Sequence, residues 1–165
     1  MTRTATTDRP LHAAYEPRHE TYGPGVGLTI GLLGLGCVAL SLFAVRWLHI
    51  GGATFLHLSG LARNLGAHDL GIAAFGYLAW AGFVLFAVTV ALVLLAGVPV
   101  PRSAAGNTYP RVIGALVAAF AAALQTYVIT HAFPTRLAAP GAWLGVAGYL
   151  ATIVGFVLGA RRRVR

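Results

Sequence analysis

The sequence predicts an all-α integral membrane protein, a four-transmembrane-helix bundle, on three observations. Apolar residues make up 58% of the 165-residue chain and charged residues only 10%, with a mean hydropathy of +0.76. A soluble domain of this size needs more charge to cover its surface. The apolar residues fall in four blocks, Gly25–Val45, Leu70–Val98, Val112–Thr130 and Ala142–Ala160, and none contains Asp, Glu, Lys, Arg or His. A bilayer core of about 30 Å needs about 20 apolar residues in a helix, and each block is near that length or longer. Nor do amphipathic partners remain to cover such helices in a soluble core.

The chain opens on a polar tail, residues 1–24, with Pro10, Pro17 and Pro24 and no apolar period. It reads as a disordered or extended cytoplasmic segment that carries His12 and His19 with it. The first span holds the only cysteine, Cys37, so one chain can form neither a disulfide framework nor a multi-cysteine metal site. "LLGLGC" has the outline of a lipoprotein signal. Gly34 stands where a bulky aliphatic belongs, the preceding "YEPRHET" is not basic, and the apolar run continues past the cysteine. The first span is therefore expected to be retained.

A 24-residue outer loop, Arg46 to Asp69, follows. Its helical and strand-like readings stay open: glycines at 51, 52, 60 and 66 oppose a continuous helix, while Phe55, His57 and Ser59 alternate with Leu56 and Leu58. The second block has 29 residues, about 43 Å as a helix, too long for an untilted span. Placing Tyr77 and Trp80 in the outer interfacial belt resolves this. Leu70–Gly76 then projects beyond the membrane and packs under the loop. Trp47 and Trp143 are expected in the same belt, with Tyr22 and Tyr109 as inner counterparts. The fourth span ends in a basic tail, residues 161–165.

Arginine placement sets the expected orientation. Four spans put both termini and the loop Pro99–Arg111 on one side, with nine arginines; the other side has Arg46, Arg63 and Arg136. Positive charge stays inside, which predicts an N-in, C-in multi-pass protein of a plasma membrane. The lack of lysine beside abundant Ala, Gly and Arg suggests a high-GC bacterial genome. The net charge of +8 is then explained by topology and anionic headgroups rather than by nucleic acid. Arg63, Arg136, Arg161, Arg162 and Arg163 are the expected headgroup contacts.

Two span segments repeat. Gly76–Leu85 reads "GYLAWAGFVL" and Gly148–Leu158 reads "GYLATIVGFVL". As a duplication, this makes the chain two helical hairpins related in parallel orientation; the bland account is chance among Gly, Ala, Leu and Val. Small residues supply the packing logic: Gly27 and Gly31, Gly141 and Gly145, and Gly155 and Gly159 are each four apart, and Gly114, Ala118 and Ala122 form a stripe. Gly141, Gly145, Gly155, Gly159 and Gln125 are the expected packing or partner interface. Gln125 is the only intramembrane amide. It reads as an interhelical hydrogen bond, or as the polar lining of a small outer cavity.

The spans contain no ionisable carboxylate or base, which disfavours ion-coupled transport, and no histidine for bis-histidine haem. His49, His57, His68 and His131 lie on the predicted outer side and are the candidate metal ligands, with Asp69 as a further donor, although no metal-ligand spacing is present. Ser59 lacks a nucleophile elbow, and Asp69 is the only outer carboxylate, so neither hydrolytic nor paired-carboxylate chemistry is expected. No cofactor is implied. A Trp early in a first outer loop resembles the claudin-like layout, but no G-L-W follows and the loop has no cysteine pair, so no motif names a family. The reading is a non-catalytic accessory or scaffold subunit of a bacterial cell-envelope complex. Its expected partners are the lipid bilayer and a larger membrane protein or a second copy. The alternative is a binding protein whose histidine-rich outer loop takes a metal, a lipid or another small ligand.

Overall fold

The computed structural model describes residues 21–23, 25–49, 51–66, 70–97, 104–133, 137–159 and 161–163. Four helices in it are long and apolar enough to cross a membrane. The first is α1 (Val26–Phe43). The second is composite: α3 (Ile72–Gly76) runs through a π-helical turn (Tyr77–Ala81) into α4 (Gly82–Gly97). The third is α5 (Ala104–His131) and the fourth α6 (Pro140–Leu158). Between the first two lies the short α2 (Phe55–Leu65), and strand β1 (Thr21–Gly23) pairs antiparallel with β2 (Arg161–Arg163). In sequence order, α1 packs on α6, α6 on α5, α5 on α4 and α4 back on α1. This ring of neighbours is that of an up-and-down bundle. One end carries α2 and is called the cap end; the other carries the β1–β2 pair and is called the termini end.

The α1–α6 seam is the closest, and glycine is the reason. A Cβ on Gly27 would stand 2.5 Å from the Gly155 carbonyl oxygen, and one on Gly34 would stand 2.5 Å from that of Gly148. In reverse, a Cβ on Gly148 would stand 2.6 Å from the Gly34 oxygen and one on Gly155 2.6 Å from the Gly31 nitrogen. Two backbones lie in direct contact, the packing that small residues permit where lipid supplies no hydrophobic drive between helices. Gly141 is used likewise, against the Arg46 carbonyl oxygen. The fourth-span glycines thus serve this chain's own bundle, and Gly159, at φ +65°, also ends α6.

Several expectations need correction. The third helix begins at Ala104 and runs through Pro110, so the expected loop Pro99–Arg111 is helical in its second half. Hydropathy stopped at Arg111, but a charge marks the end of an apolar run and not of a helix. Of the two readings left open for Arg46–Asp69, the described residues take the helical one at the centre, where α2 lies. Gly51 and Gly52, at φ +73° and +62°, make the turn before α2, and Gly66, at φ +83°, ends it. These glycines bound the helix rather than break it, while Gly60 sits on its exposed side with nothing within 4 Å of a Cβ. Trp47 and Tyr77 are not belt residues, since both are buried in the core beneath α2. Trp80 and Trp143 are exposed. In the segment up to Gly76, Ala74 is buried in that cluster while Ile72 is exposed, and its neighbours are the π turn and the third span.

Candidate functional site: the cap and the polar interior beneath it

Helix α2 is held by one face. Phe55, Leu58, Ser59 and Ala62, spaced by three or four residues, are buried, as an amphipathic helix on a core requires. Phe55 is the anchor, with ring centroids 4.9 Å from Trp47, 5.9 Å from Tyr77 and 5.1 Å from Phe83. Its ring fits because Gly82 has no side chain; a Cβ there would lie 2.7 Å from Phe55 Cζ.

The π turn is the other half of this junction. Its wider ring closes with the Gly82 N–H donating to the Tyr77 carbonyl five residues back. The Ala79 carbonyl takes its bond from outside: Arg63 Nε and Nη2 donate to it at 3.2 and 2.8 Å. Arg63, expected on a headgroup, is thus a clamp from α2 onto the second span. π turns inside α-helices recur at functional positions.

The loop is tied on its other side as well. Arg46 pairs with Thr54 and Leu48 with Ala138 as isolated bridges, and the Ala139 N–H donates to the Trp47 carbonyl at 2.8 Å. The end of α1 explains the position of Trp47. The N–H groups of Ala44 and Val45 both donate to the Leu40 carbonyl at 2.9 and 2.8 Å. The Ser41 carbonyl is left to accept from Trp47 Nε1 at 2.8 Å.

The candidate metal ligands among the described residues do not assemble. His49, His57 and His131 are exposed. A hydrogen bond of 3.0 Å joins Thr54 Oγ1 and His57 Nδ1, while His131 stacks on Tyr127 at 4.2 Å and contacts Thr130. Among the described residues no three His, Cys, Asp or Glu side chains form a group that would hold a metal. His68, Asp69 and Arg136 lie outside the described residues, and for Arg161, Arg162 and Arg163 only the backbone pairing of β2 is described. Ser59 points into the core while His57, two residues earlier, is exposed.

Gln125 does make the expected interhelical bond: its Nε2 donates to the Ala142 carbonyl of α6 at 2.8 Å. Its amide occupies the space a Gly145 Cβ would need, which assigns Gly145 to this contact. Ser41 Oγ lies near the same point, and Tyr77 and Tyr149 are buried in the core. Neither Ser41 nor Tyr149 is singled out by hydropathy or spacing. The available signal was the repeated "GYL", whose tyrosines are Tyr77 and Tyr149, both in this core.

At the termini end, Arg111 caps α6. Its Nε and Nη2 donate to the Phe156 and Val157 carbonyls at 2.9 and 2.8 Å, satisfying orphan acceptors and opposing the helix dipole. A cavity of about 20 Å³ lies beside it, lined by Gly27, Leu28, Val93, Gly97 and Phe156 among others. That is room for about one water.

No protein-family model, no curated protein and no solved structure matches this chain.

Proposed function

We propose that the protein is a non-catalytic accessory or scaffold subunit of a membrane complex in a bacterial cell envelope, and that α2 is its docking surface. Both termini are cytoplasmic in this reading and the cap faces outward. The arginine distribution supports the orientation, and composition supports the bacterial assignment.

One observation carries the docking role. Helix α2 lies outside the four candidate spans, yet Leu56, Leu61 and Leu65 are 48, 53 and 44% exposed on it. Exposed leucines on the spans face lipid and need no further account. On a short cap element they are exposed apolar groups, Leu61 and Leu65 on one flank of the outer face and Leu56 on the other, and their cover is a partner or the membrane interface. The glycine face of the fourth span no longer supports a partner helix, because it is filled by α1.

The test is gentle extraction from the native membrane followed by native mass spectrometry, on the wild type and on Leu56→Glu with Leu61→Glu. Co-extraction of the wild type with one larger protein at fixed stoichiometry, lost in the double variant while the bundle stays folded, is the expected result. A lone wild-type chain, or a complex indifferent to the two substitutions, refutes the docking role.

A further inference from the structure

Each of the four spans places one buried side-chain oxygen at the cap end without a hydrogen-bond partner. They are Ser41 Oγ of α1, Tyr77 Oη of the π turn, Gln125 Oε1 of α5 and Tyr149 Oη of α6. All four residues are essentially inaccessible.

They belong to one region. Ser41 Oγ and Gln125 Oε1 stand 2.7 and 2.9 Å from the point a Gly145 Cβ would occupy. Tyr149 follows Gly145 by one helical turn on the same face. Tyr77 and Tyr149 are close enough to interact electrostatically, and the Tyr77 ring packs 6.4 Å from Trp47, whose indole N–H holds the Ser41 carbonyl.

Elsewhere the spans satisfy their buried hydroxyls. Thr89 donates to the Leu85 carbonyl at 2.6 Å and Thr152 to the Gly148 carbonyl at 2.9 Å. Buried polar groups without partners are rare in native proteins, and hydrocarbon offers them no solvent. Phenylalanine would fill both tyrosine sites without any orphan.

We propose that these four oxygens line a binding site for an uncharged, hydrogen-bonding guest: ordered water at its smallest, a small neutral hydroxyl- or carbonyl-bearing molecule at its largest. The Gln125 oxygen only accepts, so the guest must donate; the three hydroxyls both donate and accept, so it must also accept. No charged side chain is buried among the described residues, so an ion would lack a counter-charge. Glycine at 145 gives up its side-chain volume to the Gln125 amide and the Ser41 hydroxyl, and the Trp47 indole stands over the Ser41 carbonyl.

The sign of a stability change decides the matter. A truly orphaned hydroxyl costs free energy, so its removal stabilises the fold; a hydroxyl that holds a guest is missed. Tyr77→Phe and Tyr149→Phe keep the ring and the packing, and each is expected to lower the melting temperature in bicelles. The double variant should fall by less than the two shifts combined, because both bind one guest. A melting temperature unchanged or raised in both variants overturns the proposal.

Radiolytic hydroxyl labelling of the wild type, with native mass spectrometry, then identifies the occupant. Oxidation at buried Tyr77 and Tyr149 with no added mass means water. A defined added mass, lost in Tyr149→Phe, means an organic guest. Neither signal also overturns the site. None of these readouts depends on a docking partner, so this site and the α2 surface stand or fall separately.

Discussion

The α1–α6 seam yields the sharpest quantitative prediction, through Gly155→Ala. The added Cβ would lie 2.6 Å from the Gly31 nitrogen, 2.7 Å from the Gly27 carbonyl oxygen and 2.8 Å from Gly31 Cα. Comfortable heavy-atom separations are about 3.5 to 4.0 Å, so α1 must retreat by about 1 Å, and no side chain can rotate away because every obstacle is backbone. A gap of that size forfeits about a quarter to a half of each contact it opens. Overpacking of this kind costs about 1–3 kcal/mol, with backbone obstruction at the upper end. The helix propensity of alanine returns up to about 1 kcal/mol, leaving a net loss of about 2 kcal/mol. Gly36→Ala is the internal control: it lies on the same helix system, is exposed, and has nothing within 4 Å of a Cβ. It should be neutral or slightly stabilising. The assay is reversible unfolding of the two variants and the wild type in mixed micelles or by steric trapping. Equal stability of Gly155→Ala and Gly36→Ala would refute direct backbone contact between the first and fourth spans. A loss at Gly155 that depends on protein concentration would place the seam between two chains instead.

Three further substitutions probe the other junctions. Trp47→Phe removes the donor to the buried Ser41 carbonyl and should cost about 1–3 kcal/mol, read by thermal unfolding, with Trp47→Leu falling further because the packing on Phe55 goes too. Phe55→Ala empties the centre of the aromatic cluster and should cost about 3–5 kcal/mol of cap stability; limited trypsin digestion should then cut after Arg63 while the four spans remain protected. Arg111→Gln strips two carbonyls of α6 and should lower stability by about 1 kcal/mol, with Arg111→Lys recovering only part because one ammonium cannot reproduce the two-pronged contact.

Much of the architecture is legible in composition because a bilayer is a severe solvent. Only helices satisfy every backbone group there, so four uncharged blocks of sufficient length could mean little else, and the four observed spans fall on them. The glycine pairs were legible as packing residues, but which helix received them was not, since the spacing carries no address. Gln125 was legible because a lone amide in hydrocarbon must find a partner. The cap was harder. Glycines 51, 52 and 66 read as helix breakers when their positive φ made them boundaries, and Trp47 read as an interfacial indole because a tryptophan after a span usually is one. What moved it inward was the end of α1, where two N–H groups share one acceptor and leave another carbonyl in need of a donor. That is backbone geometry, invisible to hydropathy. The histidines were conspicuous by residue type alone, and those described do not come together.

The two ends of the bundle are built on opposite principles, and this bears on where function resides. Toward the termini, α1 and α6 meet backbone to backbone, and Arg111 closes the end of α6. Contacts of that kind have one arrangement and no side chains with which to adjust. The cap end holds everything adjustable: a π turn, an aromatic anchor seated over Gly82, a guanidinium clamp on one carbonyl, and four oxygens without partners. A rigid seam gives such a region a fixed frame against which to bind. Tyr77 sits where both proposed activities meet, since its ring packs against Phe55 of α2 and its hydroxyl faces the polar interior. A partner pressing on α2 would act on the π turn through Phe55 and Arg63, and the π turn carries Tyr77. The proposed docking on α2 and the proposed polar site would therefore share a single element, the second span between Tyr77 and Gly82.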